Sequence, residues 1–242
     1  MPGYNRVLLK LSGEALASPD PHQDGAYGIS HEMLRKLAID VASALAFGTQ
    51  ICLVIGGGNI YRGIHGMEKH GIDRAAADSM GMLATVINGI ALKNALEHAN
   101  IPVRLMSAIP MHTVCEPFTS HRAEYHLQKG RVVIFTGGTG NPYFTTDTAA
   151  ALRAAEMRCN LMLKATKVKG VFCSDPKKNS NATFLPRLTY NEVREKHLNV
   201  MDATAIALAQ ENHIPIAVFS IYESDGFRKV VQGEGEFTLI KN

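Results

Sequence analysis

Three glycine-rich segments follow apolar runs that are typical of buried strands. They read KLSGEAL at residues 10–16, GGGNIYRG at 56–63 and TGGTGNPYFTTD at 136–147. Glycine loses more conformational freedom on folding than other residues, so such clusters indicate turns with positive φ or a ligand close to the backbone. Free amides at the start of a helix, with the positive end of its dipole, bind anions. The segments therefore indicate phosphate binding.

Three cations accompany these segments. Lys10 ends the first apolar run, Arg62 follows the second glycine cluster, and Lys164 lies in the run at 161–165. A single glycine turn, lysine or arginine is more often an ordinary connection or a solvated charge. Three turns with three cations favour phosphate instead, and two separate glycine cradles indicate two phosphate-bearing ligands.

Phosphoryl transfer between two such ligands needs little further machinery. A phosphate monoester acceptor is largely dianionic at neutral pH, so it requires no general base. Catalysis then consists of aligning the two groups and neutralising charge with lysines, backbone amides and magnesium. The sequence, rich in glycine, lysine and threonine at its strand ends, is suited to that chemistry.

Several other chemistries are excluded by their missing motifs. The sequence contains no GxxxxGK[ST], and GGGNIYRG lacks the GxGxxG spacing of a dinucleotide-binding fold. HExxH and GxSxG do not occur, and the ten histidines form no ligand cluster. We therefore expect no metal site built from side chains.

The elements that must position these residues are predicted by the spacing of apolar runs. Short apolar runs alternate with helical patterns, which predicts a mostly parallel sheet with helices on both faces. Ligands bind beyond the carboxyl ends of strands in such sheets, where the three glycine segments lie. The runs are at residues 6–11, 50–55, 102–109, 131–135, 161–165 and 215–221.

Cap residues predict where three of the helices begin. Ser30 precedes a pattern with one apolar face, and Thr189 with Glu192 fits a capping box. Thr145, Thr146 and Asp147 are expected to cap the helix after the third glycine segment. The apolar face of the first helix consists of Leu34, Leu37, Ala38, Val41 and Leu45.

A helix from about residue 73 to 98 is apolar on more than one face. Such a helix is buried all round, either inside the domain or against another subunit. We predict an oligomer, and the alternative is a central helix in a monomer. The apolar residues are Met80, Leu83, Val86, Ile87, Ile90, Leu92 and Leu96.

Composition limits the class of protein. The chain has 242 residues, of which 46% are hydrophobic and 19% charged, so we expect one globular domain spanning 1–242. A net charge of +3 is too small to predict a nucleic-acid surface. No apolar stretch long enough to span a bilayer is expected, so neither nucleic acid nor membrane is a predicted partner.

The cysteines and the N-terminus predict a reducing compartment. Cys52, Cys115, Cys159 and Cys173 are far apart and form no CxxC pair. Reduced thiols and a cytoplasmic location are the expectation. The first apolar run is broken by charged residues, unlike a secretory leader.

The motifs together closely resemble those of the bacterial uridylate kinases. The motifs are VLLKLSGEAL, VIGGGNIYRG, DSMGMLATVINGIAL, LMSAIP, TGGTGNPYFTTD and LKATKVKGVFCSDP, and the resemblance runs from about residue 6 to 240. It implies the amino-acid-kinase fold, a three-layer α/β/α sandwich around a mostly parallel sheet. It also implies transfer of phosphate from ATP to UMP in pyrimidine nucleotide biosynthesis, with Mg²⁺ carried by ATP, and a homohexamer.

The resemblance also implies roles for individual residues. Lys10, Lys164 and Asp147 correspond to the transfer site, where Lys164 offsets charge and Asp147 orients a lysine or the metal. The residues implied to bind ATP are Lys10, Leu11, Ser12, Gly13, Gly58, Arg62, Thr166, Phe172 and Asp175. The residues implied to bind UMP are Gly57, Asp78, Thr139, Gly140, Asn141, Pro142, Tyr143, Phe144, Thr145 and Thr146, with Asp78 on the ribose.

Regulation is a further expectation from the resemblance. UTP is expected to inhibit because it can occupy the UMP pocket. Arg104 and Arg131 fit an effector site between subunits, but Glu97 and Ser120 stand where some members have a basic or aromatic residue. GTP activation is therefore left open. The loop at 18–28 is longer than is common and lies where the allosteric segment of the family begins.

Two alternative functions remain at this point. The same fold phosphorylates carboxylates and carbamate in acetylglutamate, aspartate and carbamate kinases. Asp78 and the long NPYFTTD segment favour a ribose and a phosphate over an amino acid. The second alternative is a nucleotide sensor that acts through protein or DNA partners. The presence of Lys10, Arg62, Lys164 and Asp175 together argues against it.

Overall fold

Nine strands form one sheet in the part of the chain that the computed structural model describes, which is residues 4–17, 28–62, 71–176, 178–179 and 181–242. The strands are β1 Arg6–Leu11, β2 Gln50–Ile55, β3 Val103–Ser107, β4 Glu116–Pro117, β5 Val132–Thr136, β6 Leu161–Thr166, β7 Arg187–Leu188, β8 Ile216–Ser220 and β9 Thr238–Ile240. Their order across the sheet is β4-β3-β5-β2-β1-β6-β8-β9-β7. All neighbouring pairs are parallel except β8 and β9. The predicted mostly parallel sheet is confirmed.

Helices cover both faces of this sheet. They are α1 His31–Leu45, α2 Arg74–His98, α3 Ser120–Gln128, α4 Thr146–Glu156, α5 Tyr190–Glu195, α6 Ala203–Glu211 and α7 Gly226–Val231, with a 3₁₀ turn at Gly13–Ala15. One apolar core holds α1, α2 and α7 against one face. A second core holds α3, α4, α5 and α6 against the other. The predicted three-layer α/β/α sandwich is confirmed.

The predicted strands are confirmed with small shifts at their ends. Strands β1 and β2 have the predicted bounds, whereas the run at 102–109 shortens to β3. Strands β4, β7 and β9 were not predicted, because two or three residues are too short to show a periodic pattern.

The alternation of side chains along β1 and β6 brings two lysines together. Val7, Leu9 and Leu11 belong to the core under α1 and α2, and Leu8 belongs to the opposite core. Successive side chains of a strand point to opposite faces, so Lys10 shares the face of Leu8. Lys10 pairs in register with Lys164 of β6. Both lysines therefore lie on the face that α4 covers.

The predicted helix starts are confirmed. The Ser30 hydroxyl accepts a hydrogen bond from the Met33 N–H at 3.3 Å and caps α1. Thr189 and Glu192 form the full capping box of α5. Thr145 caps α4 by accepting from the Asp147 N–H at 3.0 Å.

Helix α2 has one buried and one exposed apolar face. Val86, Leu92 and Leu96 are buried in the core. The exposed apolar face consists of Met80, Leu83, Ile87 and Ile90, which are 40–50% exposed. The helix is therefore not buried all round by the rest of the described chain, and the oligomer stays a prediction that this exposed apolar face favours.

The length of helix α2 bears on the expectation that no apolar stretch could span a bilayer. By length and composition alone this 25-residue helix could cross a bilayer, so the expectation that no stretch is long enough is wrong. Of its most apolar window, 44% is buried inside the chain. Core helices of globular proteins commonly show such burial. The predicted long loop at 18–28 lies, except for Gly28, outside the described residues.

Candidate active site

Three charged side chains meet at the carboxyl end of the central strands. Asp147, in the first turn of α4, lies with its Oδ1 2.5 Å from Lys10 Nζ and its Oδ2 2.8 Å from Lys164 Nζ. We call Lys10, Asp147 and Lys164 the buried trio, because their side chains are 8%, 13% and 16% exposed. The three residues predicted at the transfer site are thus in contact.

The charges of the buried trio depend on one another. Burial alone would raise the pKa of Asp147, but Lys10 and Lys164 outweigh it and hold that pKa below its ordinary value. Burial lowers the pKa of Lys164, and the Lys10 charge adds to this, while Asp147 opposes both. Asp147 is therefore ionised at neutral pH and keeps two cations side by side.

A segment outside the predicted site supports the buried trio. The Val200 carbonyl accepts a hydrogen bond from Lys164 Nζ. Asp202 accepts from the hydroxyls of Thr145 and Thr148, the latter at 2.9 Å, and from the Ala205 N–H at 2.8 Å. Asp202 therefore caps α6 and fixes the first turn of α4 at the same time.

The segment after β5 forms a loop in which three glycines have positive φ. Gly137, Gly138 and Gly140 have φ of 73°, 58° and 82°, where other residues are strained. The Gly137 N–H donates to the Thr85 hydroxyl of α2 at 2.8 Å. The glycine cluster is explained by positive φ and by its attachment to α2.

Asp78 connects this loop to α2. Its Oδ2 accepts from the Tyr143 N–H at 2.7 Å and from Arg74 Nε at 2.8 Å. Tyr143 has φ of 71°, and its ring lies 5.5 Å from the Arg74 guanidinium. The predicted ribose-binding carboxylate and the predicted UMP loop are thus in direct contact.

A cavity of about 140 Å³ lies between α2 and this loop. Of the predicted nucleotide-binding residues, Gly57, Gly58, Asp78, Phe144, Thr145 and Thr146 line it. The other predicted UMP residues are not in its lining: Thr139, Gly140, Asn141, Pro142 and Tyr143. They form the outer loop, where the Thr139 hydroxyl accepts from the Asn141 N–H at 3.2 Å. We call this cavity the acceptor cavity.

The second glycine segment is packed tightly against α2. A Cβ on Gly57 would lie 2.7 Å from the Gly81 carbonyl oxygen and 2.8 Å from Ala84 Cβ, so no larger residue fits. Asn59 and Asn88 are buried and exchange side-chain hydrogen bonds of 3.0 and 2.7 Å. Asn88 also donates to the Gly56 carbonyl at 2.7 Å. These contacts fix the glycine backbone beside both nucleotide positions.

The first glycine segment follows β1 directly. Leu11 has its side chain in the core, and its carbonyl accepts the Gly56 N–H at 2.8 Å. The Ser12 carbonyl accepts the Ala15 N–H at 3.0 Å, which closes the turn that contains Gly13. Any contact of Leu11 with a nucleotide is therefore limited to its backbone.

A second cavity, of about 430 Å³, is bordered by Lys164 of the buried trio, and we call it the donor cavity. Thr166, Phe172 and Asp175, which were expected to hold adenosine, line it together with Lys164 of the expected transfer site. The Thr166 hydroxyl donates to the Val168 carbonyl at 2.6 Å and shapes the turn after β6. The other predicted ATP residues are not in this lining: Lys10, Leu11, Ser12, Gly13, Gly58 and Arg62. Arg62 Nε donates to the Gly58 carbonyl at 3.2 Å.

Sequence reasoning missed one wall of the donor cavity. This wall consists of Lys196, His197, Leu198, Asn199 and Val200, between α5 and α6. A loop without glycine or a charged motif carries no local signal for a ligand. Asp202 was also missed, although an aspartate directly before a helical run is an N-cap signal. Its contacts to Thr145 and Thr148 are long-range, so the sequence alone does not reveal them.

The arrangement can align two phosphate-bearing ligands. Lys164 lines the donor cavity, and Thr145 and Thr146, which precede Asp147, line the acceptor cavity. The buried trio therefore lies where groups bound in the two cavities would meet. Two lysines held by one carboxylate supply positive charge to a group that passes between the cavities.

Comparisons with known proteins show the family to which the chain is similar. The family model described as the amino acid kinase family matches residues 5–220. The chain is 53% identical over 239 residues to a uridylate kinase from Paramagnetospirillum magneticum, covering 99% of this chain and 97% of the relative. It is 51% identical over 238 residues to a uridylate kinase from Rickettsia rickettsii, covering 98% and 94%.

A solved structure is also closely similar. The crystal structure of a UMP kinase from Bacillus anthracis superposes with a TM-score of 0.94 at 41% identity, covering 99% of this chain and 96% of that one. Both the sequence and the fold are therefore similar along nearly the whole chain.

Proposed function

The chain belongs to the amino acid kinase family and, within it, to the uridylate kinases, and on that premise we propose that it transfers the γ-phosphoryl group of ATP to UMP, giving UDP and ADP. The observation that carries the proposal is the buried trio, because its Lys164 lines the donor cavity and its Asp147 directly follows Thr146, which lines the acceptor cavity. Residues 1–242 act as a single domain in this proposal. The product serves the synthesis of pyrimidine nucleotides.

The two lysines provide most of the catalytic effect in this proposal. Negative charge spreads over the transferred group and its neighbouring oxygens during phosphoryl transfer. Lys10 and Lys164 stand side by side in register and offset that charge from a largely dry position. The UMP phosphate is largely dianionic at neutral pH, so it attacks without a general base.

Asp147 is a positioning residue in this mechanism. Its two oxygens hold one lysine each, at 2.5 and 2.8 Å. Without it, two ammonium groups in register on neighbouring buried strands would repel each other. Asp202 supports Asp147 indirectly, through the Thr145 and Thr148 hydroxyls at the start of α4.

UMP occupies the acceptor cavity in this proposal. Asp78 binds the ribose hydroxyls, and on binding it exchanges part of its present contact with Arg74 or the Tyr143 N–H. Thr145 and Thr146 at the start of α4 offer hydroxyls and amides to the phosphate. The remaining residues of the proposed UMP site are Gly57, Thr139, Gly140, Asn141, Pro142, Tyr143 and Phe144.

ATP occupies the donor cavity and the glycine turns beside it. Thr166, Phe172 and Asp175 hold adenosine, and Phe172 packs against Phe184 with ring centroids 5.6 Å apart. The phosphates extend toward the amides of the glycine turns. The proposed phosphate contacts are Lys10, Leu11 through its backbone, Ser12, Gly13, Gly58 and Arg62.

Magnesium is proposed to arrive with ATP. Within the described residues no group of three His, Cys, Asp or Glu side chains could enclose an ion, and Asp147 is already bridged by two lysines. This donor set fits an ion carried on the nucleotide phosphates. Bound there, magnesium neutralises phosphate charge, while Lys10 and Lys164 act on the transferred group.

Assembly, location and regulation complete the proposal. The exposed apolar face of α2 supports a homo-oligomer, which we propose is a hexamer. None of the four cysteines forms a disulfide, which suits a cytoplasmic enzyme. UTP inhibits by occupying the acceptor cavity, and GTP is a candidate activator. Neither a membrane nor nucleic acid is an obligatory partner.

A coupled ADP-release assay tests the reaction. Purified protein receives ATP and magnesium with UMP, CMP, dTMP, acetylglutamate or aspartate, each with and without GTP or UTP. We expect strong turnover with UMP alone and a lower rate with UTP. Turnover with an amino-acid acceptor instead would assign the chain to the carboxylate-phosphorylating branch of the fold. A folded protein that binds UMP but turns over no acceptor would overturn the catalytic proposal and favour a nucleotide sensor.

A further inference from the structure

A second carboxylate bridges two cations at the same edge of the sheet. Glu14 Oε1 lies 2.5 Å from Arg62 Nη2, and Glu14 Oε2 lies 3.5 Å from Lys167 Nζ. We call Arg62, Glu14 and Lys167 the exposed trio, because their side chains are 43%, 41% and 41% exposed. The buried trio does not involve any of these residues. Glu14 and Lys167 lie within two of the motifs, KLSGEAL and LKATKVKGVFCSDP, but neither has a role in the proposed function.

The exposed trio joins three loops that surround the proposed phosphate position. Glu14 follows Gly13, and a Cβ on Gly13 would lie 2.6 Å from the Gly58 nitrogen, so the two glycine turns touch. Lys167 stands between Thr166 and Val168, which both line the donor cavity. Lys167 therefore lies where the donor cavity and the glycine turns meet.

The ion pairs of the exposed trio are easily exchanged. An exposed ion pair contributes at most about 1 kcal/mol to stability, because water solvates both partners well. A triphosphate offers several charged oxygens in place of one carboxylate, and charge-assisted hydrogen bonds to phosphate are strong. Both cations gain by moving from Glu14 to a bound triphosphate.

We propose that Lys167 is a further binding residue for the donor triphosphate, and that Glu14 holds Lys167 and Arg62 beside the donor site until the nucleotide replaces it. This inference rests on the proposed function for the identity of the donor. On binding, the Glu14 carboxylate loses its two partners to the phosphates and becomes solvated. Glu14 thereby orders the two cations in the empty enzyme and competes weakly with the ligand.

Lys169 provides a matched control two residues further along the same loop. Its side chain is also 41% exposed and pairs with a carboxylate, Glu236, at 3.1 Å. Like Lys167, it is flanked by residues that line the donor cavity without being in the lining itself. It differs from Lys167 in its surroundings, because it lies 4.9 Å from the Phe184 ring and does not pair with Glu14. Removing the Lys169 charge changes the net charge equally without touching the exposed trio.

Equilibrium binding of adenosine, AMP, ADP and ATP to wild type, Lys167→Gln and Lys169→Gln tests the proposal. A lost charge-assisted contact of this kind corresponds to about tenfold in affinity. We expect Lys167→Gln to weaken ATP binding about tenfold and ADP binding less, and to leave adenosine binding within twofold of wild type. The KM for ATP should rise in parallel while kcat and the KM for UMP stay unchanged. Lys169→Gln should match wild type throughout.

Glu14→Gln should change the affinity for ATP in the opposite direction to Lys167→Gln. Removing the competing carboxylate should tighten ATP binding up to several-fold, because both cations remain and one negative charge is lost. A Glu14→Gln variant that binds ATP much more weakly, with an unchanged melting temperature, would overturn the holding role of Glu14.

Two other outcomes would overturn the role of Lys167. Equal losses for adenosine and ATP in Lys167→Gln would mean that the side chain only shapes the cavity. Wild-type affinity for ATP in that variant would make Lys167 an ordinary surface charge. Because binding is measured without turnover, failure of the UMP reaction and failure of this inference are separate results.

Discussion

The buried trio and the exposed trio have the same composition and opposite properties. Each consists of one carboxylate between two cations, and both lie at the carboxyl ends of β1 and its neighbours. The Asp147 side chain is 13% exposed and that of Glu14 is 41% exposed. In low dielectric an unpaired charge is costly, so the first arrangement is fixed, whereas water makes the second exchangeable. Burial therefore distinguishes the two trios. The charges of the buried trio stay fixed at the proposed transfer position, whereas the cations of the exposed trio can move to a bound ligand.

The largest expected effect comes from breaking the buried trio at its centre. Asp147→Asn leaves two buried lysines without a carboxylate, and breaking a buried ion pair costs about 3–5 kcal/mol. We expect a loss of that size in the free energy of unfolding, measured by urea denaturation at equal protein concentration. A loss below 1 kcal/mol would mean that the buried trio is as exchangeable as the exposed one.

Lys10→Met removes one cation and leaves the pair of Asp147 with Lys164. We expect kcat to fall on the order of 10²–10³-fold, because a preorganised charge at the transfer position is lost. The dissociation constant for UMP should change little. Steady-state kinetics and UMP titration measure both. Equal losses in kcat and in UMP affinity would mean that Lys10 only binds the ground state.

Asp202→Ala weakens the support of the buried trio without touching it. The change removes the cap of α6 and the acceptor of the Thr145 and Thr148 hydroxyls. A lost N-cap costs about 1–2 kcal/mol, and we also expect a several-fold rise in the KM for UMP. Ser30→Ala, which removes the cap of α1, is the control and should lower stability without changing that KM. Identical kinetic effects of the two variants would exclude a special role for Asp202.

Acid should reveal the buried trio through the pH dependence of stability. The pKa of Asp147 is held below its ordinary value, so its contribution to stability is present above about pH 3.9. It is lost as pH falls through the lowered pKa of the folded state. Wild type should therefore lose stability below about pH 4 more steeply than Asp147→Asn. Parallel curves from urea titrations at pH 3–6 would contradict this.

The smallest expected effect is on the stability of Glu14→Gln. Its two partners are exposed, so the free energy of unfolding should change by less than about 1 kcal/mol. Thermal denaturation at low and high salt measures this. A loss comparable to that of Asp147→Asn would show that exposure does not distinguish the two trios.

The sequence predicted the sheet and the nearness of Lys10 and Lys164 for a shared physical reason. Apolar runs and glycine turns are local signals, and the ends of parallel strands lie at one edge, so Lys10 and Lys164 could be brought together in advance. The contacts of Asp202 with Thr148 and of Asn59 with Asn88 could not be predicted. They join residues 54 and 29 positions apart, and no local pattern specifies such pairing.

The lining of the donor cavity could also be predicted only in part. Phe172 and Asp175 were found through a motif, whereas Leu198, Asn199 and Val200 complete the cavity from a loop with no sequence signal. Their position depends on how α5 and α6 pack on the sheet. Tertiary packing, rather than any local preference, makes that loop part of the site.

The outer strands of the sheet have a consequence for how copies of the chain can meet. The sheet ends in β4 and β7, each only two residues long, and β4 contains Pro117, which has no N–H to donate. Short edges and edge prolines discourage strand-by-strand addition of another chain, the route to fibrous aggregates. Copies of the chain would then pack through helices rather than through sheet edges. The exposed apolar face of α2 offers such a contact without open-ended addition of strands.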